Sequence, residues 1–154
     1  MENRHIVFLG LGSNIGNKKQ NLENAIKKLG EKISGIQASK FYETEPWGFV
    51  NQDKFLNAVI IGRTNLCPSQ LLKFVKQIEQ AVGRVERFKW GPREIDIDIL
   101  FYDDLVYKDD FLIIPHPFIQ ERKFVLEPLL DLDPNFVHPI FKKTVRQLHE
   151  KLSL

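Results

Sequence analysis

The sequence predicts an α+β domain with a β-α-β-β-α-β core and a mostly antiparallel sheet. Three observations predict it. Two stretches carry apolar residues at helical spacing. Four short stretches are rich in β-branched and aromatic residues. The two kinds follow one another in that order, with turn residues between them. The order is the split βαβ, or ferredoxin-like, arrangement, and additional short strands and helices follow it towards the C-terminus.

Each element has its own warrant. Residues 5–12 (HIVFLGLG) read as a buried strand that breaks at GSNIGN. A helix follows from about Asn17, where Leu22, Ala25, Ile26, Leu29 and Ile33 recur at helical spacing between lysines and Glu23. Residues 36–44 (IQASKFYET) and 55–64 (FLNAVIIGRT) read as the second and third strands. The stretch between them, 45–53 (EPWGFVNQD), is punctuated by Pro, Gly, Asn and Asp and reads as a loop. Loops of that length in a compact domain tend to be functional. Pro68 opens a second helix in its first turn. Leu71, Leu72, Val75, Ile78 and Val82 form its apolar stripe, and Gly83 ends it. Residues 84–92 (RVERFKWGP) form a basic, aromatic loop. The strand Ile-Asp-Ile-Asp-Ile (95–99) comes next, and its apolar surroundings read as a central position. Beyond it, 105–117 suggests two short strands or an extended excursion, 124–134 a short helix interrupted by Pro128, and 144–152 a terminal helix.

A chain of 154 residues suits one domain, spanning 1–154, with a core that needs no staples. With 43% hydrophobic and 27% charged residues the balance is that of an ordinary globular protein. A formal net charge of +2 is too small to argue for a polyanion partner. The single cysteine, Cys67, excludes an intramolecular disulfide framework and a Cys-rich zinc site. It reads as a bystander thiol in a reducing cytoplasm. No stretch approaches the ~20 apolar residues that cross a bilayer, and the N-terminus lacks the length and cleavage site of a signal peptide. Neither nucleic acid nor membrane is therefore expected as a partner.

The alternation at 95–99 puts the isoleucines on one strand face and Asp96 and Asp98 together on the other, their Cα atoms ~6.5–7 Å apart. A solvated strand face accounts for such a pair in most proteins. Here Arg84, Arg87, Lys89 and Arg93 arrive beside it, and carboxylates with arginines make up a metal–phosphate site. The basic loop by itself is equally readable as a solvated turn. GLGSNIGN (10–17) misses both G-x-G-x-x-G and G-x-x-x-x-G-K-[ST], so as a glycine-rich strand-to-helix turn it speaks for tight packing. Thr44, Trp47, Phe55 and Asn57 could line a flat aromatic pocket, although Trp47, Phe55 and Phe124 could equally cap the core. His116 is readable as a structural histidine. No Ser-His-Asp or Cys-His set is present.

KWGPREIDIDIL (89–100) resembles the signature of the 6-hydroxymethyl-7,8-dihydropterin pyrophosphokinase family. GLGSNIGN, FYETEPWG, FLNAV, IEQAVGR, IPHP, ER followed by FVLEPL, and Pro134 fall in that family's order, so the likeness covers nearly the whole chain. The resemblance implies transfer of pyrophosphate from MgATP to the pterin hydroxymethyl group with release of AMP, by a monomer. It implies two Mg²⁺ ions on Asp96 and Asp98, with Arg84 and Arg93 completing the catalytic set. Glu79, Arg84, Arg87, Lys89, Arg93, Ile99, His116 and Arg122 match positions that contact ATP. Thr44, Pro46, Trp47, Asn57 and Trp90 match the pterin pocket, in which Phe55 and Phe124 sandwich the ring. Phe55 stands where some members carry Tyr, Pro117 stands in place of an aromatic residue, and the 86–89 loop is one residue shorter than in a well-known member.

Two other readings share the predicted core. An RNA-recognition domain stacks bases on sheet aromatics, but its K/R-G-F/Y-G/A-F-V-x-F/Y run is missing. A ligand-sensing domain would use the aromatic pocket and leave the aspartate pair and the basic loop idle. Fold alone does not separate these.

Overall fold

The computed structural model describes residues 4–46, 48, 51–85 and 87–153. In chain order the elements are β1 (His5–Ser13), α1 (Lys18–Leu29), β2 (Ser34–Ala38), β3 (Tyr42–Thr44), β4 (Phe55–Thr64), α2 (Pro68–Val82) and β5 (Asp96–Tyr102). A hairpin of β6 (Tyr107–Lys108) and β7 (Ile113–Ile114) comes next, then a 3-10 turn at Ile119–Glu121 and helices α3 (Lys123–Leu132) and α4 (Val145–Leu152). The sheet order is β2-β4-β1-β5, with every pairing antiparallel, and β3 extends the place of β2 along β4. This is the ferredoxin-like α+β core that the sequence predicts.

Local chemistry sets the element ends. The Asn17 side chain accepts the Gln20 N–H at 3.1 Å and caps α1. Gly83 ends α2 in the left-handed region at φ 114°. Four readings need correction. The strand expected at 36–44 is two strands. At the break the Ser39 hydroxyl takes the Val59 N–H (2.9 Å), and the Lys40 N–H turns to Asp131 (3.1 Å), so side chains replace ladder bonds. Ile33 lies beyond the end of α1, although it is buried in the same core. Helix α3 runs unbroken through Pro128, which is buried in the packed interior, so packing offsets the backbone bond that proline cannot donate. Gly10 and Gly12 lie within β1, as the strand read at 5–12 has them, and of the glycines in GLGSNIGN only Gly16 (φ 74°) belongs to the turn.

The sheet has two covered faces. Val7, Leu9 and Leu11 of β1 pack with Ile97 and Ile99 of β5 against Leu22, Ala25 and Leu29 of α1 and Leu71, Val75 and Ile78 of α2. On the other face Phe8, Val59, Leu100 and Phe101 pack against α3 and α4 through Leu126, Leu129, Val145 and Leu148. Both Leu100 and Phe101 reach this second core because the β1–β5 register shifts there: Leu9 pairs with Ile99, and Phe8 pairs with Phe101.

The strand read as central, β5, is the end strand of the sheet. It is apolar because helices cover both its faces. Along its free edge, Glu79 accepts the Ile97 N–H at 2.8 Å and the His116 N–H bonds the Leu100 carbonyl at 3.0 Å. Among the described residues no helix is long and apolar enough to cross a membrane.

Candidate active site

The helical cover on the second face stops short of one end of the sheet. There β1 changes from Phe8, under α3 and α4, to Gly10 and Gly12, which present no side chain. Gly10 pairs with Asp98 on one neighbouring strand and Val59 on the other, and Gly12 pairs with Asp96 and Asn57. Opposed residues in an antiparallel ladder point the same way. The glycines therefore form the floor of a trough whose walls are the carboxylates on one side and Asn57 on the other. The resulting cleft is open to solvent. Phe55, Phe124, Trp90 and Thr44 line it together with Arg93, Arg122, Asp96 and Asp98. Asn57 donates a hydrogen bond to the Thr44 hydroxyl, which fixes its amide beside the floor.

The two carboxylates have unequal support. Asp96 is paired with Arg93 at 2.9 Å and with Arg84 at 3.2 Å. Arg84 also holds the buried Glu79 at 3.0 Å. Burial raises the Glu79 pKa, and its bond from Ile97 N–H and the cations Lys76 and Arg84 act against that rise. Asp98 has only looser neighbours, the Arg122 guanidinium at 4.0 Å and the His116 ring at 3.9 Å. Enclosure by the cleft walls, with the Asp96 carboxylate adding to it, pushes Asp98 up to about 7. His116 Nδ1 accepts the Phe118 N–H at 3.1 Å, which leaves Nε2 to carry the proton towards Asp98. Burial, helped by the Arg122 charge, holds His116 neutral, with its pKa at about 4.

Two adjacent carboxylates with one left under-compensated suit a bound cation. Among the described residues no third His, Cys, Asp or Glu joins them as a metal-ligating group. That donor set fits Mg²⁺, which takes one or two carboxylates and fills its shell with phosphate oxygens and water. Beside the carboxylates, the Arg122 guanidinium lies over Phe124 at 5.4 Å and over Trp90 at 5.7 Å, so the cationic and aromatic parts of the cleft touch.

The model of the 7,8-dihydro-6-hydroxymethylpterin-pyrophosphokinase (HPPK) family matches residues 8–134. The chain belongs to the HPPK family. A 2-amino-4-hydroxy-6-hydroxymethyldihydropteridine pyrophosphokinase of Aquifex aeolicus is 47% identical over 148 residues, which is 96% of this chain and 92% of that protein. A folic acid synthesis protein of Dictyostelium discoideum is 50% identical over 151 residues, and the chain spans 22% of its length. In three dimensions the chain matches a crystal structure of Plasmodium falciparum HPPK-DHPS with a TM-score of 0.78 and 20% identity, over 97% of this chain and 45% of that one. At that identity the match speaks for the fold.

Within the HPPK frame, the residues expected around the pterin divide into three groups. Thr44, Phe55, Asn57, Trp90 and Phe124 line the cleft. Pro46 is buried but is not in the lining, and Trp47 lies outside the described residues. Of the residues expected around the nucleotide, Arg93 and Arg122 reach the cleft, while Arg84 and Glu79 stand behind Asp96. Arg87 is gripped by Glu94 through two bonds of 2.9 and 2.8 Å, so it staples its own loop instead of reaching freely outward. Lys89 is exposed, with Nζ 5.4 Å from the Trp90 ring. Ile99 can meet a nucleotide only through its main chain, because its side chain is turned away. It points into the α1–α2 core, on the face opposite the carboxylates, because it alternates with Asp98 along β5.

Sequence reasoning missed Asn14 and Gln52, which bond the loops to one another and to the end of β1, and Glu94, which holds Arg87 within its own loop. Nothing in a polar turn residue's immediate neighbours marks it as a long-range tether. It also missed the floor formed by Gly10 and Gly12, because a G-x-G pair reads equally as a turn.

Proposed function

We propose that the chain transfers pyrophosphate from MgATP to the hydroxymethyl group of 6-hydroxymethyl-7,8-dihydropterin, releasing AMP, in folate biosynthesis. The cleft over Gly10 and Gly12 is its active site. One observation carries this reading: an aromatic slot opens onto a carboxylate pair with arginines beside it, in a single cleft of a chain from this family. The flat pterin ring stacks between Phe55 and Phe124, with Thr44 and Asn57 offering polar groups to its edge. That pose aims the hydroxymethyl oxygen at Asp96 and Asp98.

The alcohol oxygen forms a bond to the β-phosphorus, the bond from that phosphorus to the oxygen bridging it to the α-phosphate breaks, AMP leaves with the bridging oxygen, and the alcohol proton passes to solvent. Such transfers rest on positioning and charge neutralisation. Arg93 and Arg122 offer planar forks to the phosphate oxygens. Arg84 and Glu79 hold Asp96 in place, and His116 presents a neutral N–H donor. Asp96 and Asp98 would hold two Mg²⁺ ions, which when bound neutralise phosphate charge and favour the ionised alcohol. Lys89, exposed on the loop that Arg87 and Glu94 staple, offers a further cation to the phosphates. The protein acts as a monomeric single domain, and its lone thiol suits a reducing cytoplasm.

The test is a product analysis. Protein, MgATP and the reduced hydroxymethylpterin should yield AMP and pterin pyrophosphate in equal amounts. ADP in place of AMP, or no turnover, would overturn the reading. Size-exclusion chromatography with light scattering checks the monomer.

A further inference from the structure

Helix α3 carries one aromatic of the slot near its start and a surface carboxylate near its end. Phe124 lines the cleft together with Phe55. Asp131 lies seven residues further along α3, nearly two turns and ~10 Å along the axis, so the two side chains share one face of the helix. Pro128, between them on that face, is buried.

One oxygen of Asp131 joins this helix to the sheet. Its Oδ2 accepts the Tyr42 hydroxyl at 2.7 Å and the Lys40 N–H at 3.1 Å. Tyr42 opens β3, and its ladder partner is Asn57. Thr44, the next residue on the same face of β3, pairs with Phe55. Asn57, Thr44 and Phe55 all line the cleft. The bond from Tyr42 to Asp131 therefore ties the helix that bears Phe124 to the strands that bear the rest of the slot. Strand β3 has three residues and starts after the break at Ser39, so few ladder bonds fix it. Partial burial, with the hydrogen bond and charge of Asp131 adding to it, pushes the Tyr42 pKa up to about 12, so the phenol keeps its proton and remains the donor. No step of the proposed reaction uses either group.

We propose that Tyr42 and Asp131 are positioning residues that set the width of the pterin slot. Their clasp stops α3 from pivoting away from β3 and β4, and so keeps Phe124 at the separation from Phe55 that a flat ring fills. The inference rests on the pterin reaction proposed above. A slot of fixed width selects by ring thickness, so it favours the flat dihydropterin over its puckered tetrahydro counterpart.

Steady-state kinetics of the full chain with MgATP and each of these two hydroxymethylpterins tests it. Tyr42→Phe removes the donor oxygen and leaves the ring in place, whereas Asp131→Ala removes the acceptor. Each variant should raise the KM of the dihydropterin about threefold to tenfold, and by a larger factor than the KM of ATP. Each should also bring the kcat/KM values of the two pterins closer together. The double variant should be no worse than Asp131→Ala, because the two changes cut the same bond. Asp131→Asn keeps an oxygen acceptor and should restore both the KM and the discrimination. Variants that keep the wild-type KM and the wild-type preference overturn the inference. So do variants that melt lower while both KM values rise together, the pattern of a clasp that serves stability alone. A wild type that turns over both pterins equally well also overturns it and leaves the proposed reaction standing. A wild type that makes no AMP with either pterin removes the proposed reaction, and the inference with it.

Discussion

Asp98 stands opposite Gly10 across the β1–β5 ladder, so the carboxylate borders a strand position with no side chain. The same holds one pair along, where Gly12 faces Asp96. At Gly12 a Cβ would meet Asn57 Oδ1 at 3.1 Å and Phe55 Cδ1 at 3.4 Å, whereas at Gly10 its nearest neighbour would be Leu100 at 3.4 Å. Gly12→Ala should therefore raise the pterin KM about tenfold or more while the protein folds normally, since the methyl group intrudes on the slot and not on the core. Gly10→Ala should do less. Steady-state kinetics with far-UV circular dichroism checks both, and equal effects would count against Gly12 as the floor of the slot.

Asp98→Asn should separate stability from turnover. With Asp98 raised to about 7 in the folded protein, against an ordinary 3.8, its favourable contribution is complete below pH 3.8 and is lost as pH rises through about 7. An asparagine has no such loss. In EDTA the variant should melt above the wild type at pH 8, and the gap should narrow towards pH 4. With MgATP its kcat should fall by about 10²–10³-fold. A variant that melts below the wild type at pH 8 would contradict the unequal support of the two carboxylates.

The aromatic slot makes a quantitative claim. Stacking a base on an aromatic ring is worth about 1–3 kcal/mol by alanine substitution, and the pterin ring has comparable area. Phe124→Ala and Phe55→Ala should each weaken pterin binding by about 10–100-fold and leave nucleotide binding nearly unchanged. Equilibrium fluorescence titration of the pterin reads this directly.

Arg87 and Arg93 should differ in kind. Arg87 is occupied by Glu94, and its guanidinium holds that carboxyl down at about 2, below the ordinary 4.5. Because the Glu94 pKa is depressed, the stabilisation is present above pH 4.5 and is lost as pH falls towards 2. Arg87→Ala should lower the melting temperature at pH 7 by no more than a few degrees, with the gap to wild type shrinking between pH 5 and pH 3. Its ATP KM should rise less than that of Arg93→Ala. A larger kinetic defect in Arg87→Ala would show that the pair with Glu94 opens during turnover.

The parts of the site that could be read from sequence are those that repeat along it. Asp96 and Asp98 announce themselves by alternating with isoleucine, and α1 and α2 by the spacing of Leu22, Ala25 and Leu29 or of Leu71, Val75 and Ile78. What could not be read depends on distant partners. Asn14 meets Arg93 across 79 residues and Gln52 across 38. The register shift at Leu100 hides in an unbroken apolar run, Ile99 to Tyr102, where alternation carries no signal. Ser39 splits a strand through its hydroxyl, a choice that depends on Val59 lying alongside. The edge position of β5 is not legible, because an apolar strand looks the same whether strands flank it or helices cover it.

That edge position has a second consequence. An end strand with bare main-chain groups is a template on which a strand from another molecule can grow, and such growth ends in aggregates. Glu79 occupies the Ile97 N–H, and the main chain of His116 occupies the Leu100 carbonyl. Glu79 and His116 thus close part of the edge to a strand from another molecule. Glu79→Ala should lose solubility at high concentration along with activity, and the two losses have separate causes.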